Sequence, residues 1–212
     1  MEIIPALNCT DRACVDARLS AFLMLHAPWL HVDVSDGIFT PFATLDDPSI
    51  ITSLGANAEI HLMVHNPEEA ALPWLDAGAR RIIVHVESLG EDRDAAIGRM
   101  TGMCAVRGAE FMLAEKPETP VEELFPYCDV VSSFQLLAVS PGPSGQQFDR
   151  SVLQKAKALR ARVPGARIEA DGGVTLAVAK ELKAAGVTAV AVASGIFGAN
   201  DARAALASFM HV

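Results

Sequence analysis

Eight short apolar runs, spaced by longer amphipathic stretches, leave this chain few ways to fold. The runs cover 3–7, 29–34, 59–64, 81–86, 110–114, 134–139, 167–170 and 189–193. They are mostly β-branched and nearly continuous in hydrophobicity, which suits strands buried on both faces of a parallel sheet. The intervening 12–25, 67–77, 92–106, 121–127, 149–163, 176–185 and 202–209 read as helices. Asn66-Pro67-Glu68-Glu69 offers an N-cap, a proline in the first turn and acids facing the helix dipole, and Gly78 is the stop. Thr119-Pro120-Val121-Glu122 repeats that start, and Gly186 suits a left-handed cap after the alanine-rich helix. Eight βα units in 212 residues predict an α/β fold, a single (β/α)8 TIM barrel over 1–212, because no linker or low-complexity stretch divides the chain. A doubly wound open sheet is the alternative, but it would normally bring a Gly-rich turn after the first strand, and none is present.

Charge narrows the partners. The net charge is −9, so no broad cationic surface exists to neutralise a nucleic-acid backbone, and nucleic acid is not an expected partner. An anionic substrate has to be held by local devices instead, such as backbone amides or a bound cation. No run of 18 apolar residues is free of charge, so no membrane span is expected, and the chain reads as a soluble, cytoplasmic protein. Cys9, Cys14, Cys104 and Cys128 form no C-x-x-C pair and are too sparse for a disulfide framework; they read as reduced thiols. Exposed apolar helix faces are compatible with a homo-oligomer, but no segment specifies its symmetry.

In a barrel of this kind chemistry sits at the carboxyl ends of the strands. There the second, third and seventh runs carry His31-Val32-Asp33, His61 and Asp171. Strand alternation puts His31 and Asp33 on the same side. Two imidazoles and two carboxylates suit one divalent metal ion, Zn²⁺, Fe²⁺, Mn²⁺ or Co²⁺, without choosing among them. Two carboxylates at such a site have a second use, since one can take a proton from carbon and the other return one. Ligation and proton transfer are both open to Asp33 and Asp171 at this point. His85 and Glu87 alternate along the fourth run and read as buried, hydrogen-bonded support; Asp36 beside Gly37 reads as a turn former.

Three glycine-bearing loops follow the late strands, where barrels often hold phosphate. They are Pro141-Gly142-Pro143-Ser144-Gly145-Gln146, Asp171-Gly172-Gly173-Val174 and Ala193-Ser194-Gly195. Glycine permits close backbone approach, and a following helix start supplies N–H donors. One such loop is ordinary punctuation; three on neighbouring strands point to a phosphorylated small molecule.

These residues stand in stretches that resemble the ribulose-phosphate 3-epimerase family: LHVDVSDGIFTPF (30–42), IHLMVHNPEE (60–69), VHVES (84–88), KPETPVEEL (116–124), VSPGPSGQQF (139–148), EADGGV (169–174) and VASGIF (192–197). The resemblance covers nearly the whole chain. It implies a (β/α)8 barrel that interconverts D-ribulose 5-phosphate and D-xylulose 5-phosphate through a metal-stabilised 2,3-enediolate. It implies His31, Asp33, His61 and Asp171 as metal ligands, Asp33 and Asp171 as the acid/base pair on the two faces of C3, and Met63 in the sugar pocket. Family members form assemblies from dimers to hexamers.

Four departures from the family pattern lie on the substrate side. Ala6 replaces a usual serine, and Ser35 a usual methionine, which makes the floor of the site more polar and less confined. Gly142-Pro143-Ser144-Gly145 replaces Gly-Phe-Gly-Gly, and Ala193-Ser194 replaces Gly-Ser, where the added methyl clashes if positive φ is required. They leave open a 3-epimerase of another ketose phosphate, for example a ketohexose 6-phosphate, and a catalytically weak sugar-phosphate binding protein. A related decarboxylase is disfavoured, because the strand-two motif lacks a lysine beside its aspartates.

Overall fold

A computed structural model describes all 212 residues. Eight parallel strands close into one barrel in sequence order. They are β1 (Glu2–Leu7), β2 (Trp29–Ser35), β3 (Asn57–Met63), β4 (Arg81–His85), β5 (Glu110–Glu115), β6 (Ser133–Leu137), β7 (Arg167–Asp171) and β8 (Ala189–Val192), with β8 pairing back onto β1. The helices are α1 (Arg12–Leu25), α2 (Pro67–Asp76), α3 (Arg93–Val106), α4 (Val152–Arg162), α5 (Leu176–Ala184), a four-residue α6 (Ser194–Phe197) and α7 (Ala202–Met210). No helix is long and apolar enough to cross a membrane.

Every predicted strand forms, its outward-facing residues apolar and packed under the helices. Two helix readings and one strand reading change. Residues 121–127 form a 3₁₀ segment rather than an α-helix, with Pro126 inside it and without an amide to donate. The predicted cap at Asn66 is not made: its side-chain amide donates to Glu69 Oε2 at 2.9 Å instead. The fourth strand stops at His85, so Glu87 sits in a 3₁₀ turn, Val86–Ser88, rather than on the strand. Gly78 and Gly186 take the left-handed conformation expected of helix stops.

The reading of four reduced thiols is corrected at one pair. Cys9 and Cys14 are joined by a disulfide across the turn between β1 and α1, their Cα atoms 5.6 Å apart. Asp11 makes this turn by accepting from the Cys14 amide at 2.9 Å, which brings two residues five apart within bridging reach. That proximity depends on the cap and has no signature in a search for C-x-x-C. Cys104 and Cys128 are free and buried.

Two different cores result. Outward-facing strand residues and the helices build one apolar layer of 57 buried residues around Trp74, Phe22, Phe134, Leu30 and Ile60. Inside the barrel the only apolar cluster is Ile83, Met112 and Ala114. The rest of the interior is largely polar. Register places His31 beside Glu59, Glu59 beside Arg81, and Gln135 beside Glu169. Arg81 donates to Glu59 and, at 2.7 Å, to Glu110. Arg167 lies 3.5 Å from Glu169 and 2.6 Å from Glu2, and Gln135 donates to Glu169 at 3.3 Å. Burial, reinforced by the charge on Glu59, pushes the Glu169 carboxyl up to about 8; burial acts the same way on Glu59, but His31 and the two arginines outweigh it and hold its carboxyl below the usual range. Glu59, Glu169 and Arg81 are buried, whereas Arg167, Glu2 and Glu110 are part-exposed at the end of the barrel where the strands begin.

Removing one partner of a buried ion pair strands the other. Arg81→Met is expected to lower unfolding free energy by about 3–5 kcal/mol, read from urea titration at constant m. A loss below about 1 kcal/mol, the value of a solvated pair, would show that solvent reaches the layer.

Candidate metal centre and active site

One donor atom from each of His31, Asp33, His61 and Asp171 lies within 4.8 Å of the others, and all four residues are buried. His31 and Asp33 are two apart on β2 and face the same way; Asp33 pairs in register with His61 on β3. Asp171 ends β7. Asp33 Oδ1 is 3.2 Å from His31 Nε2 and 3.0 Å from His61 Nδ1. Asp171 Oδ2 is 3.4 Å from His61 Nδ1 and 3.9 Å from His31 Nε2.

The outward nitrogens of both imidazoles are committed. His31 Nδ1 is 2.8 Å from Glu59 Oε1, an acceptor, so that nitrogen carries the proton and Nε2 is free to present a lone pair. His61 Nε2 is 2.8 Å from His85 Nε2, so one of the two donates. His85 Nδ1 lies 3.2 Å from Glu87 Oε2. Burial, joined by the nearby charge of His61, pushes His85 down to about 4, so its single proton sits on Nδ1 toward Glu87. His85 Nε2 is then the acceptor, His61 Nε2 donates, and His61 Nδ1 is left to face the two aspartates. Glu87 is fixed in turn by the Lys116 amide at 2.8 Å and by the Thr119 hydroxyl.

In these tautomers two imidazole lone pairs point at carboxylate oxygens 3.0–3.9 Å away, an arrangement that repels unless positive charge lies among them. Burial alone would lower both imidazoles, yet the hydrogen bonds and charges of the aspartates and Glu59 raise them, His31 most strongly. The Asp33 carboxyl is held below the usual range by the same imidazoles, against the effect of burial. The cluster thus demands positive charge, and its N₂O₂ donors, with His31 backed by the Glu59 carboxylate and His61 by His85, fit a divalent cation.

Beside this cluster a cavity opens at the carboxyl end of the barrel. Asp33, Asp171 and Met63 border it, as do Gly142, Pro143, Ser144 and Gly145, Gly172 and Gly173, and Ala193 and Ser194. All three predicted loops therefore meet at one opening. Gly172 and Gly173 have φ of +98° and +65°, and a Cβ would sit 2.5 Å from Val139 and 2.6 Å from the Phe148 amide nitrogen respectively. No other residue fits there. The amides of Gly172, Gly173, Ser194 and Gly195 make no backbone hydrogen bond.

Some residues lie elsewhere than expected. Ala6 is buried beside His31 and does not border the cavity; Asn8, two residues on, does. The Ser35 hydroxyl is turned away, donating to the Phe42 carbonyl at 2.5 Å, so it does not make the floor more polar. Ala193 has φ −93°, and the feared methyl clash does not arise. Asp36 is the turn former expected, accepting from the amides of Ile38, Phe39 and His65. Sequence reasoning missed Asn8 and Thr40, whose hydroxyl donates to the Pro141 carbonyl at 2.6 Å. Continuing the alternation of β1 from Ala6 would have found Asn8.

The profile of the Ribulose-phosphate 3 epimerase family matches residues 2–197. The chain is 36% identical to a ribulose-phosphate 3-epimerase of Mycobacterium tuberculosis, over 97% of this chain and 90% of that one. It is 33% identical to the cytoplasmic isoform from Oryza sativa, over 94% and 89%. Among solved structures, a 3-hexulose-6-phosphate synthase superposes with TM-score 0.73 at 14% identity, covering 100% of this chain and 99% of that one. The orotidine 5'-phosphate decarboxylase from Pyrococcus horikoshii gives 0.68 at 17%, covering 98% and 97%. These two likenesses show the barrel alone.

His85→Phe keeps a ring in place and removes the acceptor that sets the His61 tautomer. Affinity for Zn²⁺ or Mn²⁺, titrated calorimetrically into chelator-stripped protein, is expected to fall by about 10- to 100-fold; unchanged affinity would show that His61 is oriented without it.

Proposed function

The chain belongs to the ribulose-phosphate 3-epimerase family, and on that footing we propose that it interconverts D-ribulose 5-phosphate and D-xylulose 5-phosphate by moving the proton at C3. The observation that carries this reading is the pairing of Asp33 and Asp171 at one cavity, from strands three places apart around the barrel. Inverting a carbon centre needs a base on one face and an acid on the other. Asp33, held ionised by the two imidazoles, takes the C3 proton from one epimer, and Asp171 supplies a proton to the opposite face; the roles exchange in the reverse direction. Between the two transfers the electron pair spreads over C2, C3 and their oxygens as an enediolate.

A divalent cation held by His31, Asp33, His61 and Asp171 supplies the positive charge that offsets this developing negative charge. The donor set suits Zn²⁺, Fe²⁺, Mn²⁺ or Co²⁺ and does not choose among them. The amides of Gly172, Gly173, Ser194 and Gly195 hold the phosphate. No lysine or arginine borders the cavity, so neutral backbone donors take on that task. With Ser35 turned away and Ala193 relaxed, two of the four departures lose their force as signs of a different sugar.

Two measurements test this. Protein stripped with chelator and resupplied with each of the four ions is expected to convert D-ribulose 5-phosphate with kcat on the order of 10 s⁻¹ for at least one; no turnover with any of them overturns the reading. In Asp33→Asn and in Asp171→Asn, net epimerisation is expected to fall at least about 100-fold, and wash-in of solvent deuterium at C3 to fall as far for the epimer whose proton the missing carboxylate removes. Normal exchange in both variants would sink the two-carboxylate mechanism.

A further inference from the structure

We propose that Asn8 is a positioning residue that couples the phosphate loop to the proton-transferring carboxylate; this rests on the epimerase reading above. Asn8 Nδ2 donates to Asp33 Oδ2 at 3.0 Å and to the Gly142 carbonyl at 3.1 Å. Both partners are acceptors only, so the amide nitrogen must face them, and its two hydrogens are both used. Asp33 divides its oxygens accordingly. Oδ1 meets the imidazoles, and Oδ2 meets Asn8.

Asn8 is itself held firmly. Arg18 Nη1 donates to its carbonyl at 3.1 Å, and the disulfide of Cys9 begins at the next residue. The loop at the other end is less constrained within its own length. Gln146 ties it to itself through the carbonyls of Ser140 and Pro143, and Thr40 and Asn8 are the side chains that connect it to other strands. This loop borders the same cavity as the amides of Gly172, Gly173, Ser194 and Gly195, so displacement of Gly142 by a phosphate seated on those amides is passed to Asp33 Oδ2 through the single side-chain amide of Asn8. Binding energy from the non-reacting end of the substrate is in this way spent on orienting the base, a use that raises kcat rather than lowering KM.

The test divides the substrate in two. D-Erythrulose keeps the 2-keto-3-hydroxy end and lacks the phosphate-bearing carbon, and phosphite dianion supplies the missing charge. The quantity read is the ratio of deuterium wash-in at C3 with and without phosphite, for the metal-loaded wild-type chain, Asn8→Ala and the near-isosteric Asn8→Leu, with thermal melting as the control for folding. Phosphite is expected to accelerate exchange in the wild-type chain, and the ratio to fall about tenfold in the variants, within the 5- to 150-fold range typical of coupled sites. With intact D-ribulose 5-phosphate, kcat is expected to fall in the variants with KM nearly unchanged. A ratio equal to that of the wild type in a folded variant overturns the proposal, and so does absence of phosphite activation in the wild type. Either result leaves the epimerase reading standing wherever D-ribulose 5-phosphate is still turned over, whereas failure of that turnover is failure of the reading itself.

Discussion

The Glu59 carboxylate, sealed inside the barrel between an imidazole and a guanidinium, is the contact on which most of the site depends. It accepts from His31 on one oxygen and from Arg81 on the other. One side chain thereby fixes the tautomer of a ligand and neutralises a buried cation. A hydrophobic residue in its place would fill the same space at less desolvation cost, but it would leave His31 free to rotate and Arg81 with only the part-exposed Glu110 as a partner. The polar interior therefore serves the centre above it. His31 and His61 reach the opening with their lone pairs already aimed, and the orientation comes from groups that never touch a substrate.

The same logic extends sideways. His61 is oriented by His85, His85 by Glu87, and Glu87 by the Lys116 amide and Thr119. Lys116 and Thr119 lie in the loop after β5, where Lys155 spends its three N–H donors on the carbonyls of Lys116, Pro117 and Thr119. Its ammonium also lies 3.0 Å from the buried Glu115. With those donors spent on carbonyls it does not fully offset the effect of burial, which pushes the Glu115 carboxyl up to about 7. The His/Asp cluster is thus tied through side chains to the outer ring of helices as well as to the barrel floor.

How much of this was legible in the sequence follows from the range of the interactions. The eight strands show because their outward-facing residues are apolar and packed under the helices. The cluster of His31, Asp33, His61 and Asp171 shows because alternation at strand ends is strictly local, and the glycine loops show because positive φ is written in the residue itself. What stayed hidden depends on contacts distant in the chain or on a competition between local partners. The Asn66 side chain had the choice of its own helix or Glu69 and took Glu69. Ser35 is polar, yet its hydroxyl is satisfied by Phe42 seven residues on. The Cys9–Cys14 bridge needed the Asp11 turn, and Asn8 meets Gly142 across 134 positions. Glu59 and Glu169 read as anomalies in apolar strands until the interior they share with Arg81 and Arg167 is seen.

A cradle of backbone amides reaches only a few ångströms. Its dipoles act at contact and add nothing to the field that an approaching ligand meets. Farther out, over the roughly 8 Å that salt leaves unscreened at physiological ionic strength, a doubly charged sugar phosphate meets a chain of net charge −9, which repels it. Capture therefore depends on random collisions with the mouth of the barrel, and dissolved salt, by shielding the two like charges, quickens the encounter instead of slowing it as it does for cationic sites.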